Sequence, residues 1–93
     1  LASGIRQPPP TPPDIVERWK WFNGKTIEVF RDGRCVDTSN DRLSCQVSRV
    51  GRKYVFTWSR SGAVIFTDTL TLSADGSRLD GTNQNNTHVW AVK

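Results

Sequence analysis

The chain has 93 residues, 13 of them basic and 9 acidic, for a formal charge of +4, and 35% of its residues are hydrophobic. That length suits one domain rather than two, and no uncharged run approaches the roughly 20 apolar residues of a membrane-spanning helix. Apart from Arg49, Arg52 and Lys53 the basic residues interleave with acids, which argues against a dedicated nucleic-acid binder.

Residues 1–13 contain all five prolines of the chain, at positions 8, 9, 10, 12 and 13. Such a run favours extended polyproline II and withholds backbone donors. It is expected to be a disordered proline-rich leader or linker, with Arg6 beside it compatible with a proline-motif ligand. A single antiparallel β domain is expected over residues 14–93.

Asp14, with Glu17 three residues on, can cap a short helical turn. A first strand is predicted over 17–22, where Trp19 and Trp21 alternate with Lys20 and Phe22. Asn23-Gly24 is a strong hairpin signal. Ile27 and Val29 then share one face, with Glu28 and Phe30 on the other, and Asp32-Gly33 turns the chain. A short strand follows over 34–37, and residues 38–42 read as a polar loop. Residues 43–50 read as a strand ended by Gly51. The clearest strand is 53–58, with Tyr54, Phe56 and Trp58 on one face and Val55 and Thr57 on the other. After a turn at 59–62, the segment 64–72 places Val64, Phe66, Asp68, Leu70 and Leu72 in one inward phase. Turns at 74–76 and 83–86 separate strands at 78–82 and 88–92.

About eight short strands joined by tight turns predict an all-β fold, a small antiparallel up-and-down β-barrel, since closure removes the exposed strand edges. A β-sandwich is the alternative. No helical stretch is long enough for a parallel crossover.

Cys35 and Cys45 have the spacing of a loop-closing disulfide, worth about 2.5–3 kcal/mol in the chain-entropy description. A disulfide in a small domain points to a secreted or periplasmic home, whereas two free thiols would suit a cytosolic protein. With the cysteines paired, His88 is the one remaining nitrogen ligand, so neither a metal nor a cofactor is expected. His88 is also the only base available to a serine nucleophile, and no nucleophile-elbow motif occurs. Glu17, Glu28, Asp68 and Asp80 could supply paired carboxylates, but nothing places a pair at a working separation. The chain is therefore not expected to be an enzyme.

Binding chemistry rests on aromatic and charged residues. Trp19, Trp21, Tyr54 and Trp58, with Arg60 beside the aromatic strand, would form a stacking platform or a protein hot spot wherever they face solvent. Asp68, in an apolar phase, must be paired with an arginine, turned outward by a bulge, or serve as a polar group in a binding cavity. Basic and aromatic residues interleave over 49–60, the best nucleic-acid feature in the chain, yet no oligonucleotide-binding signature accompanies them. Asn85-Asn86-Thr87 is an N-glycosylation sequon in a predicted turn, relevant only to a eukaryotic secretory route.

A cadence runs through the C-terminal half: Trp58, then residues 68–76, then Leu79-Asp80-Gly81-Thr82-Asn83, then Val89-Trp90-Ala91. Together with Trp21, Asn23-Gly24 and Asp32-Gly33, it resembles the small lipocalin-like (calycin-like) β-barrel domains of exported bacterial proteins, over residues 17–92. The resemblance implies a short up-and-down barrel with a small-ligand or protein-binding role, and the broad group includes inhibitors of proteases and lysozymes. No inhibitory motif of that group can be placed here, and no functional residue is carried over. Cys35 and Cys45 fall where related cadences have an ordinary turn and strand, so their bond would be a local addition.

The expected function is a noncatalytic binding domain of an exported protein, with a protein or glycan as partner and with a monomer as a compatible state. The alternatives are an inhibitor of a secreted hydrolase presenting a rigid loop at 38–44, a structural appended domain, and a nucleic-acid-binding module.

Overall fold

The computed structural model of the chain describes residues 15–93. The proline-rich segment 1–13 and the capping residue Asp14 lie outside the described residues. The strands are β1 (Arg18–Trp21), β2 (Thr26–Val29), β3 (Arg34–Asp37), β4 (Asn40–Val50), β5 (Lys53–Arg60), β6 (Ala63–Leu72), β7 (Arg78–Asn83) and β8 (His88–Val92). Each pairs antiparallel with the next, and β8 returns to pair with β1 through Lys20–Val92 and Trp21–Ala91. The sheet is a closed eight-stranded barrel, not a sandwich.

Strict alternation fills the interior. Trp19 and Trp21 of β1, Ile27 and Val29 of β2, Tyr54, Phe56 and Trp58 of β5, and Val89 and Ala91 of β8 are all buried, while the residues between them face outward. Trp90, placed in the outward phase of β8, is half-buried, with the Arg78 guanidinium 5.0 Å above its ring. Cys35 and Cys45 are directly opposed across β3 and β4, with Cα atoms 4.8 Å apart, and form a disulfide inside the barrel. Gly81 of β7 passes so close to β6 that a Cβ there would overlap the Thr69 carbonyl oxygen, so only glycine fits.

Two expectations are corrected. Of residues 38–42 only 38–39 form a turn: Asp37 and Asn40 pair directly, and β4 starts at Asn40. Short polar side chains make the tight turn. The Ser39 backbone N–H and hydroxyl both donate to Asp37 Oδ1, and the Arg42 N–H donates to Asn40 Oδ1. The inhibitory loop expected at 38–44 is thus mostly strand. In β6, Trp58 pairs with Phe66 but Ser59 pairs with Val64, leaving Ile65 as an extra residue. This bulge reverses the phase before it. Val64 turns to solvent, 61% exposed, and Ile65 packs on the core in its place. Phe66 keeps the inward phase but lies at the rim and is 46% exposed, so it too is not core.

The up-and-down order puts the turns 22–25, 38–39, 61–62 and 84–87 at one end of the barrel and the turns 30–33, 51–52 and 73–77, with the chain entry at Ile15 and exit at Lys93, at the other. The second end is sealed. Ile15 and Trp19 are fully buried, and the Trp19 indole N–H donates to the Ile15 carbonyl at 3.1 Å. The Val29 N–H donates to the Glu17 carbonyl at 3.0 Å, and Lys93 Nζ sits 2.7 Å from Glu17 Oε2 and 5.6 Å from the Trp19 ring centre.

Candidate functional site

The opposite end is open. A cavity of about 160 Å³ enters the barrel there, with Trp21, Trp58, Phe66 and Leu43 among its apolar walls and Lys25, Asp37, Asp68 and Asn83 as its polar lining. The aromatic walls are held by one another. The Trp21 ring meets Phe56 edge-on, with centroids 5.2 Å apart, and meets Trp58 in the same manner at 6.2 Å. Such contacts fix ring orientation beyond simple burial. Phe22, 39% exposed, and Phe66 form an apolar rim.

The polar groups arrive by different routes. Asp37 ends β3 and closes the β3–β4 turn through its bonds from Ser39. Its other oxygen faces Lys25 Nζ at 3.8 Å, and Lys25 also donates to the Ser39 hydroxyl at 3.4 Å. Asn83 ends β7, where its side-chain carbonyl accepts the N–H groups of Asn85 and Thr87. Gln84 beside it spans to β6, accepting from the Thr67 N–H and donating to the Ile65 carbonyl. This side chain satisfies the part of β6 that runs on past its pairing with β7, which begins at Asp68 and Asn83.

Asp68 stands in the middle of β6, opposite Phe56 on one side and Asn83 on the other, and is 4% exposed. The Trp58 indole N–H donates to its Oδ2 at 2.9 Å. Burial raises its pKa from 3.8 to about 6, against the lowering effect of that hydrogen bond. Among the described residues neither an arginine partner nor a bulge that turns it outward is found, and the carboxyl group stays inward on the cavity.

Of the residues singled out in the sequence, the fold brings Trp21, Trp58 and Asp68 together in the mouth. Trp19 and Tyr54 are buried toward the sealed end, and Arg60 is exposed at the end of β5. The interleaved segment 49–60 is divided: Tyr54, Phe56 and Trp58 face the interior, while Arg49, Arg52 and Lys53 stand outside at the sealed end. Sequence reasoning missed Asp37, Lys25, Leu43 and the rim role of Phe22 and Phe66. Asp37 had a usable signal, since it shares the phase of Cys35 and ends its strand. Lys25 and Leu43 enter the mouth only through closure.

His88 lies outside the barrel. Its Nε2 is 2.6 Å from Asp80 Oδ1, and Arg78 Nε donates to Asp80 Oδ2 at 2.9 Å. First the His88 contact, then Arg78, holds the Asp80 carboxyl below its usual range. The group is solvent-exposed and separate from the cavity. Among the described residues, no cluster of three or more His, Cys, Asp or Glu side chains is placed to hold a metal ion, and no helix is long and apolar enough to cross a membrane.

A closed eight-stranded antiparallel barrel, sealed at one end and open at the other, is consistent with the small calycin-like class in general. Comparison with protein-family models, curated sequences and solved structures returns no match.

Proposed function

We propose that this chain is a noncatalytic, protein-binding domain of an exported protein, and that its barrel mouth receives one side chain of the partner. The observation that carries the reading is the half-open aromatic cavity with a few converging polar groups, the usual form of a binding site in a barrel mouth. A cavity of roughly 150 Å³ holds a benzene-sized group, which matches a single side chain better than an extended ligand. Phe22 and Phe66 at the rim supply the exposed apolar surface that surrounds an anchor pocket. The buried disulfide supports an exported home. The noncatalytic reading assigns no role to the His88–Asp80 pair, which lies apart from the cavity.

The test is a nuclear magnetic resonance titration with benzyl alcohol, a neutral benzene-sized probe, at millimolar concentration. The indole signals of Trp21 and Trp58 should shift while that of Trp19 at the sealed end stays in place. Absence of any shift at the mouth would overturn the reading. Shifts caused by N-acetylglucosamine but not by benzyl alcohol would reassign the partner to a glycan.

A further inference from the structure

Asp68 is the polar group of the mouth that the fold uses least, accepting only the Trp58 indole N–H on Oδ2. Asp37 and Asn83 both close turns, and Lys25 is engaged by Asp37 and Ser39. Asp68 closes no turn. Among the described residues no cation lies within ion-pair distance of it, and its Oδ1 accepts no hydrogen bond. A carboxylate so buried and so little compensated destabilises the fold that carries it. Two carboxylates against one ammonium leave the lining with an excess negative charge, on a chain that is positive as a whole. Arg42 and Arg60 are exposed and do not line the cavity, so solvent and salt screen them.

The walls suit a cation as well. Trp21, Trp58 and Phe66 border the same space. Aromatic faces attract ammonium and guanidinium groups, and the methylene stem of a long basic side chain packs well on apolar surface. The hydrogen-bonding state of Asp68 separates the two candidates. Arginine is matched to a carboxylate with both oxygens free, whereas lysine presents a compact point charge. Trp58 takes one lone pair of Oδ2, and Oδ1 is the oxygen without a hydrogen bond among the described residues, a single acceptor that a point charge can meet.

We infer that the anchor side chain received by the barrel mouth is a lysine, whose ammonium group meets Asp68 Oδ1 and whose stem lies against Trp21, Trp58 and Phe66. The inference rests on the protein-binding reading of the mouth given above.

The experiment compares N-α-acetyl-lysine N-methylamide with its norleucine counterpart, which has a similar stem without the ammonium group. Binding is followed by the Trp21 and Trp58 indole signals of the full chain near neutral pH, with benzyl alcohol as the control for an open cavity. The lysine probe should bind roughly tenfold more tightly, a difference of about 1.4 kcal/mol, and D68N should bring the two probes to parity. A retained Trp58 indole shift in the free D68N protein reports that the mouth is intact, because the amide oxygen can still accept that hydrogen bond. Equal binding of the two probes to the wild type, or binding of benzyl alcohol but neither probe, overturns the lysine assignment and leaves the pocket standing. Tighter binding of the arginine analogue than of lysine also overturns it. Failure of all probes, benzyl alcohol included, removes the protein-binding reading itself.

Discussion

At the sealed end of the barrel, Ile15 and Trp19 are fully buried and the Trp19 indole N–H donates to the Ile15 carbonyl. At the open end, Trp21 and Trp58 occupy the same inward phase of the sheet, yet about 160 Å³ beside them is unfilled and a carboxylate faces it. Residues two apart on one strand, Trp19 and Trp21, thus serve opposite purposes. The difference lies in what the chain supplies beyond the sheet. Residues 15–17 pack against one end, whereas among the described residues tight hairpins border the other. A fold this small has little stability to spare, and the unfilled end with its buried acid is the feature on which the proposed binding role rests.

The largest expected effect breaks the sealed end. Trp19→Ala should lower unfolding stability by about 4 kcal/mol, the usual loss for a fully buried tryptophan, read from the denaturant midpoint at constant slope. A loss below about 1 kcal/mol would show that this end is not the packed half of the molecule.

The second tests the open end and has the opposite sign. The Asp68 carboxyl titrates near 6 in the folded chain and at 3.8 as an ordinary group. Between these values the folded state holds a proton that the unfolded chain has released, so stability falls as pH rises through this window and stays reduced above it. Asp68→Asn is neutral throughout. It should therefore be more stable than the wild type by about 1–2 kcal/mol near pH 8, allowing for water at the mouth, and the two curves should converge below about pH 4. A destabilised Asp68→Asn at high pH would mean that the carboxylate is compensated after all.

The smallest effect concerns the rim. Phe66→Ser should change stability by no more than about 0.5 kcal/mol, as for other exposed positions, while weakening benzyl alcohol binding severalfold. A large loss of stability would move Phe66 from the rim into the core and narrow the contrast between the ends.

Much of the barrel was legible from local signals. Asn23-Gly24 and Asp32-Gly33 mark turns because glycine takes the positive φ that those hairpins require, 86° and 90° here. The alternation over 53–58 correctly puts Tyr54, Phe56 and Trp58 inside, because a strand covered on one face has period two. The same rule fails in β6. The Ile65 bulge is set by pairing with β5, and nothing in the residues 63–67 announces it. The start of β4 was misplaced because Asn40 and Arg42 have polar composition, while cross-strand pairing with β3 overrides their weak strand preference. The site was half legible. Trp21, Trp58 and Asp68 were named as candidates, but so were Trp19 and Tyr54, which share their phase and lie at the wrong height in the barrel.

Taken alone, the amino-acid sequence determined the number of strands, the faces of most of them and the cysteine pair, because these follow from period-two burial and from turn chemistry within a few residues. Tertiary closure decided which end of the barrel is sealed, that Lys25, Leu43 and Asp37 join Asp68 at one mouth, and that Asp68 meets no cation among the described residues. Those facts depend on the height of each residue along a closed sheet, a quantity that emerges only when β8 meets β1.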